Sequence, residues 1–332
     1  MKSFSSLNKF FILTLLFCLP QAVFAQSHSR DVLVPPEGKV LMIIGQDLNT
    51  IDQYVKDTGV VPGGVMLYTS IQELEGLTTS EDRGGGLQHG QKLAANYPDS
   101  VLQIGLYMVG VLQQVADGVY DENIVKLADW IKRAERPVYL RIGYEFDLPD
   151  NHYDPALFVA AYRHIVDKFK ALGVDNVNYV WHSYSFLRVD HPFMGWYPGD
   201  DYVDWFGISF FEAYNFGNME RIAKFAQEHG KPLMIAEASP FYSGTTQGEK
   251  SWNMWFRHLF RFIEKNNVKI VSYINCDWDD LSMFAAKKYG DARIQSSPAV
   301  YQRWIEEIKK DQYLHASPNL FKTLGYHPFP RP

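Results

Sequence analysis

Pro137-Val138-Tyr139-Leu140-Arg141-Ile142-Gly143-Tyr144-Glu145-Phe146 is an apolar run that ends in a carboxylate. Pro232-Leu233-Met234-Ile235-Ala236-Glu237-Ala238 repeats the pattern. Strands covered on both faces read as continuous apolar runs, and a charge at their end has no packing reason to be there. Six more strand-like segments lie around these two, so that 40–47, 64–70, 101–109, 138–146, 177–182, 205–211, 233–237 and 270–278 follow one another along the chain. Helical patterns fall between them, most clearly at 124–134, 155–172, 219–229, 250–266 and 298–309. Asp154-Pro155 supplies a capping side chain and a proline at the first helical position, while Gly173 and Gly230 sit where helices should stop. Strands alternating with helices predict a parallel sheet, and eight such units in one chain of this length predict a closed α/β barrel, the (β/α)8 or TIM barrel, as a single domain over 26–332 with an irregular tail. The competing architecture is an open doubly wound sheet. Its phosphate-binding glycine pattern is absent after the first strand, where Gly45-Gln46-Asp47-Leu48 stands.

The first 25 residues read as an export signal. Lys2 and Lys9 precede an apolar run at 10–19, and Val23-Phe24-Ala25 closes it with a cleavage-like pattern. Phe17 before Cys18 does not suit a lipid anchor, so the expected mature chain starts near Gln26, is secreted or periplasmic, and has no membrane segment. Loss of Lys2 and Lys9 takes the formal charge from −6 to −8, and no basic patch marks a nucleic-acid partner. Cys276 is then the remaining cysteine, so the core rather than a disulfide must hold the fold. Aromatic residues make up 15% of the chain, more than a core requires, and their excess in loops suits stacking on sugar rings.

In a barrel of this kind the chemistry lies where strands end. Those ends gather Gln46 and Asp47, Tyr107, Tyr144 with Glu145, Trp181 with His182, Phe211 with Glu212 and Tyr214, Glu237, and Asn275 with Asp277 and Trp278. Two carboxylates on strands four and seven face each other across the mouth, which is the minimum equipment for cleaving a glycosidic bond, one to protonate the leaving oxygen and one to attack or activate water. Arg141 shares strand parity with Glu145, and a cation one pleat below would lower the pKa of an intended acid. Trp181 and Trp278 are expected to stack on sugar, with core packing as the alternative. Asp47 divides evenly between substrate binding and helix capping, and His182 between a hydrogen bond to substrate or a catalytic carboxylate and a structural one. Tyr144 and Tyr214 are further substrate-binding candidates, and Asp277 a hydrogen-bonding one. No metal-ligand spacing of His, Glu or Cys occurs near a strand end, so no metal or other cofactor is expected, and the absence of a Gly-x-Ser-x-Gly elbow argues against a serine nucleophile.

The segment Trp196-Tyr197-Pro198-Gly199-Asp200-Asp201-Tyr202-Val203-Asp204-Trp205-Phe206-Gly207-Ile208-Ser209 closely resembles the lead into strand six of family 26 glycoside hydrolases, the β-mannanases and relatives of clan A. The resemblance spans about 40–309. It implies a (β/α)8 barrel, retaining hydrolysis of a polysaccharide or oligosaccharide without a metal, Glu145 as acid/base, Glu237 as nucleophile and Trp278 as the strand-eight aromatic. Three positions depart from the family. Tyr144 stands where it has histidine, Phe211 falls at its strand-six tyrosine, with Tyr214 as a substitute from the loop, and Trp181-His182-Ser183-Tyr184 differs after strand five. These departures imply a rebuilt sugar site and a glycan other than mannan. A non-catalytic carbohydrate-binding barrel and a transglycosylase using the same glutamates are the alternatives.

Overall fold

Short β-branched and aromatic runs bounded by glycine, proline and capping residues become strands and helices where the pattern places them. The computed structural model describes residues 33–185, 192–212 and 216–327. The leader at 1–25 and Tyr214 lie outside the described residues. The strands are β1 Val40–Gly45, β2 Gly64–Ser70, β3 Val101–Tyr107, β4 Val138–Ile142, β5 Val177–Ser183, β6 Trp205–Phe210, β7 Leu233–Ala238 and β8 Ile270–Ile274. Each pairs in parallel with its neighbours, and β1 closes the ring by pairing Ile43 with Gly64 of β2 and Leu41 with Ile270 of β8. The chain is therefore a (β/α)8 barrel. Asp154 caps the helix Pro155–Ala171 through Leu157 N–H, and Gly173 and Gly230 adopt left-handed φ of 65° and 61° just past helix ends. Among the described residues no helix is long and apolar enough to cross a membrane.

Alternation along the strands divides the core in two. Leu41, Ile43, Met66, Tyr139, Val180, Trp205 and Met234 fill the barrel, while Met42, Leu67, Leu140, Phe206 and Ile235 meet the helices. The lower end is plugged. Tyr139 Oη donates to the Leu33 carbonyl at 2.8 Å, and Asn178 Oδ1 accepts from Leu33 N–H at 2.8 Å and Trp205 Nε1 at 3.0 Å. The polar interior that remains, Gln103, Arg141, His182, Ser209 and Glu237, lies toward the opposite mouth.

Two irregularities aim the catalytic candidates. The β6–β7 register slips after Ile208, so that Ile208 pairs with Ile235 but Ser209 pairs with Glu237. Ala236 is the extra residue, and it lets Glu237 face inward when strict alternation from Ile235 would turn it toward the helices. On β4 the strand stops at Ile142, four residues short of the expected 146, because Gly143 and Glu145 turn through φ of 55° and 52°. The Arg141 guanidinium makes its ion pair with the other carboxylate, Glu237, while its charge still lowers the Glu145 pKa as the sequence predicts.

Candidate active site

Arg141 is fully buried, and a buried guanidinium needs an anionic partner. Its Nη1 donates in a short ion pair to Glu237 Oε1. Tyr68 of β2 donates its hydroxyl to the same oxygen at 2.9 Å. The guanidinium lies 5.0 Å from the Tyr68 ring centroid and 5.2 Å from that of Tyr144, and the two rings meet edge to face at 5.3 Å. Gly105 on β3 makes room for this packing, since a Cβ there would stand 2.6 Å from the Tyr68 ring and 3.0 Å from Arg141 Nη2. Burial and the Glu237 charge push the Tyr68 phenol well above its ordinary value, so it remains a donor. With Oε1 of Glu237 holding both donors, Oε2 is the oxygen left for chemistry.

Glu145 sits in a different electrostatic setting. Ser209 Oγ donates to its Oε1 at 2.6 Å, and Asn151 Nδ2 donates to its backbone carbonyl at 2.9 Å. Burial, and then the nearby Glu237 charge, raise its pKa well above the usual carboxylate range, with Ser209 and Arg141 opposing. One carboxylate is therefore pinned by a cation and a phenol while the other favours its proton, a division of roles that acid catalysis beside a nucleophile requires.

His182 connects the two. Its Nδ1 lies 3.4 Å from Arg141 Nη1 and its Nε2 lies 3.0 Å from Ser209 Oγ. Burial and the Arg141 charge drive its pKa well below the ordinary value, so the ring is neutral. Arginine can only donate, so Nδ1 accepts and the proton sits on Nε2. The donors then run in one direction, from Arg141 to His182 to Ser209 to Glu145.

The remaining candidates divide. Tyr144 is half-buried at the mouth beside this network. Trp278 lies just past β8, 3% exposed, donating Nε1 to Ser239 Oγ at 2.7 Å and standing edge-on to Phe241 at 5.2 Å. Trp181 does not reach the mouth. It is fully buried outside the barrel, stacked on Phe146 at 4.4 Å with Nε1 bonded to the Trp196 carbonyl, so its expected sugar-stacking role is corrected to core packing. Asp47 is a helix cap. Its Oδ1 accepts from Asn49 and Thr50 N–H, its Oδ2 accepts from Thr50 Oγ1 at 2.7 Å, and Gly86 covers it so closely that a Cβ would meet the carboxyl at 2.6 Å. Asp277 caps a single turn through Asp279 N–H and pairs with Arg293 Nη2 at 3.0 Å, which makes it a loop anchor in place of the expected sugar contact. Tyr68 and Ser209 were not among the sequence candidates. Tyr68 shares the inward parity of Met66, a signal that was readable at the end of β2.

No protein-family model matches the chain. It is 35% identical over 328 residues to the β-1,3-xylanase TXYA of a Vibrio species, covering 91% of this chain and 71% of that one. A β-1,3-xylanase of an Alcaligenes species is likewise 35% identical over 328 residues, covering 90% and 70%. In fold, it superposes on the family 26 β-mannanase of Bacteroides ovatus with a TM-score of 0.59 at 16% identity, over 87% of this chain and 94% of that one. The β-1,3-xylanases share family 26 with that mannanase, and at this identity and coverage the chain belongs with them: it is a glycoside hydrolase of family 26.

Proposed function

We propose that this enzyme hydrolyses a β-1,3-linked xylan with retention of anomeric configuration, using Glu237 as nucleophile and Glu145 as acid and then base. The observation that carries the assignment is the asymmetry of the two carboxylates: Arg141 and Tyr68 both contact the Glu237 carboxylate, while burial and the Glu237 charge raise the pKa of Glu145 well above the usual carboxylate range. In the first step Glu237 Oε2 bonds to the anomeric carbon, the bond to the leaving oxygen breaks, and Glu145 delivers its proton to that oxygen. In the second, Glu145 takes a proton from water, the water oxygen bonds to the anomeric carbon, and the ester to Glu237 breaks. The xylan assignment rests on the names of the two relatives, and the departures at Tyr144 and Phe211 from the mannanase pattern agree with a different glycan. Tyr144, Trp278 and Tyr214 complete the proposed sugar site, the last from outside the described residues. Export by removal of residues 1–25 belongs to the same proposal and is checked by N-terminal sequencing of the protein released from cells.

The test is sugar release from β-1,3-xylan, β-1,4-xylan and β-mannan by wild type, Glu237→Gln and Glu145→Gln, with product anomers followed by NMR. Gln preserves shape and a partner for Arg141 in a site where full truncation would leave a buried charge unpaired. Release from β-1,3-xylan alone, β-configured product and loss in both variants is the expected result. Inverted product or activity that survives in Glu237→Gln would overturn the mechanism, and preference for mannan would overturn the substrate.

A further inference from the structure

Beyond the two glutamates, the loops after β5, β6, β7 and β8 bring a group of aromatic rings to the mouth that the reaction itself does not use. Phe211, Phe241 and Tyr289 stack face to face, Phe211 on Phe241 at 4.1 Å and 3°, Phe241 on Tyr289 at 3.9 Å and 2°. Trp278 stands perpendicular to this stack. Phe241 has a parallel ring against it from each neighbour, whereas Tyr289 has one such ring among the described residues, with Phe284 tilted by 43° at 6.3 Å. Tyr242 stands at its edge, 5.6 Å away and tilted by 70°, and is 60% exposed.

Tyr242 also carries a backbone anomaly. Its φ is 63°, in the left-handed region that a bulky side chain rarely occupies and that glycine fills without strain. The strain is held by the surroundings. Tyr242 N–H donates to the Tyr289 carbonyl at 2.8 Å, Thr245 N–H to the Asp291 carbonyl at 2.8 Å, and Thr245 Oγ1 to the Arg293 carbonyl at 2.8 Å, so the β7 and β8 loops are zipped together. An exposed aromatic ring in a strained, rigidly backed position has neither a burial nor a backbone reason to be tyrosine, and an outlier of this kind points to use.

The rings look onto the catalytic space. Burial, then Tyr242 and the charges of Glu145, Asp150 and Glu212, raise the Tyr289 phenol above its ordinary value, and burial followed by Glu145 and Glu212 does the same for Tyr184. The glycan proposed above is built of uncharged pyranoses, so the occupant such a ring would take is a neutral sugar.

We infer that the exposed ring of Tyr242, backed by Tyr289, forms a second sugar subsite, next to the one that reacts, which binds a neutral pyranose of the glycan chain by stacking. The inference rests on the proposed activity. It makes the enzyme's grip on its substrate depend on chain length, because only a chain long enough to extend past the glutamates reaches the tyrosines.

Calorimetric binding of xylobiose through xylohexaose to the Glu237→Gln protein, with and without Tyr242→Ala, tests it. Affinity should rise with length in the Glu237→Gln protein, and Tyr242→Ala should remove the rise, a loss of about tenfold or more for the long ligands, with little change for xylobiose. Tyr242→Gly should lose the same affinity while keeping or raising Tm, because glycine relieves the left-handed φ. Equal affinities with and without Tyr242 at every length would overturn the subsite, and so would an equal loss at all lengths. If the wild type neither cleaves β-1,3-xylan nor binds any member of the series, the proposed substrate falls and the subsite with it, an outcome distinct from unaltered binding in Tyr242→Ala.

Discussion

Tyr68 shows how one hydroxyl assigns roles to atoms. By meeting Glu237 Oε1 together with Arg141, it orients the carboxylate and leaves Oε2 for the proposed attack. A hydrogen bond to a charged group contributes about 1.5–3 kcal/mol, so Tyr68→Phe should lower kcat roughly tenfold to a hundredfold with KM little changed. Steady-state kinetics on β-1,3-xylan checks this, and an unaltered kcat would show that Arg141 positions Glu237 alone. Glu145 offers a test that needs no substrate. Its folded pKa is raised, so the folded state binds a proton that the unfolded state, titrating near about 4.3, has already released. The stability this group contributes is complete below that unfolded value and is lost as pH rises through the folded one. Glu145→Gln, which does not titrate, should therefore gain in Tm relative to wild type as pH climbs through that window, and thermal melts at stepped pH would read it. A constant difference across the window would show that the Glu145 environment does not favour the proton. The same proton sets the basic limb of activity, which should fall as Glu145 ionises.

At the scale of elements, the strands and the carboxylates that follow them were legible, while where each strand stops and how its glutamate is aimed were not. Apolar runs ending in Glu145 and Glu237 mark β4 and β7, yet which way each glutamate points depends on a one-residue slip against β6 and on two left-handed residues after Ile142. Neither leaves a pattern in a single strand, because a bulge is defined by its partner. Trp181 illustrates the converse error. It lies on β5, where every second side chain faces the helices, and it stacks there on Phe146. Trp181→Ala should cost about 3–5 kcal/mol, seen as a lower urea midpoint with KM unchanged, whereas a higher KM at full stability would restore it to the sugar site. The β3 glycine makes a related prediction. A Cβ at Gly105 would displace Tyr68 or Arg141 from Glu237, so Gly105→Ala should destabilise by about 1–3 kcal/mol and reduce kcat. Combined with Tyr68→Phe it should reduce kcat by less than the product of the two effects, because both act through one contact. Strictly multiplicative losses would show that they act separately.

For the whole molecule, the eight-fold alternation was readable because strands buried on both faces must be apolar, and helices between them must carry caps and stops. Closure was readable from the count of eight units, but not the contacts it makes: Tyr68 and Glu237, 169 positions from each other, meet only once β1 has paired with both β2 and β8. The segment that best carried the family resemblance touches the reacting network only at its last residue, Ser209. Within it Asp204 accepts from Tyr179 N–H at 2.7 Å and ties the start of β6 to β5. A ring of strands has no loose end, so opening at one seam should expose the rest, and Cys276 reports on that. It lies fully buried just past β8, beside the closing seam, and burial first, then the charges of Asp47 and Asp277, push its thiol well above the ordinary range. Only the thiolate reacts, so labelling must wait for exposure. In native buffer a disulfide reagent should modify Cys276 at a rate that falls and rises with the global unfolding equilibrium as urea is varied, with full modification once the chain is unfolded. Labelling that is fast in native buffer and insensitive to low urea would mean that the end of β8 opens by itself, and that the barrel is not held together as one cooperative unit.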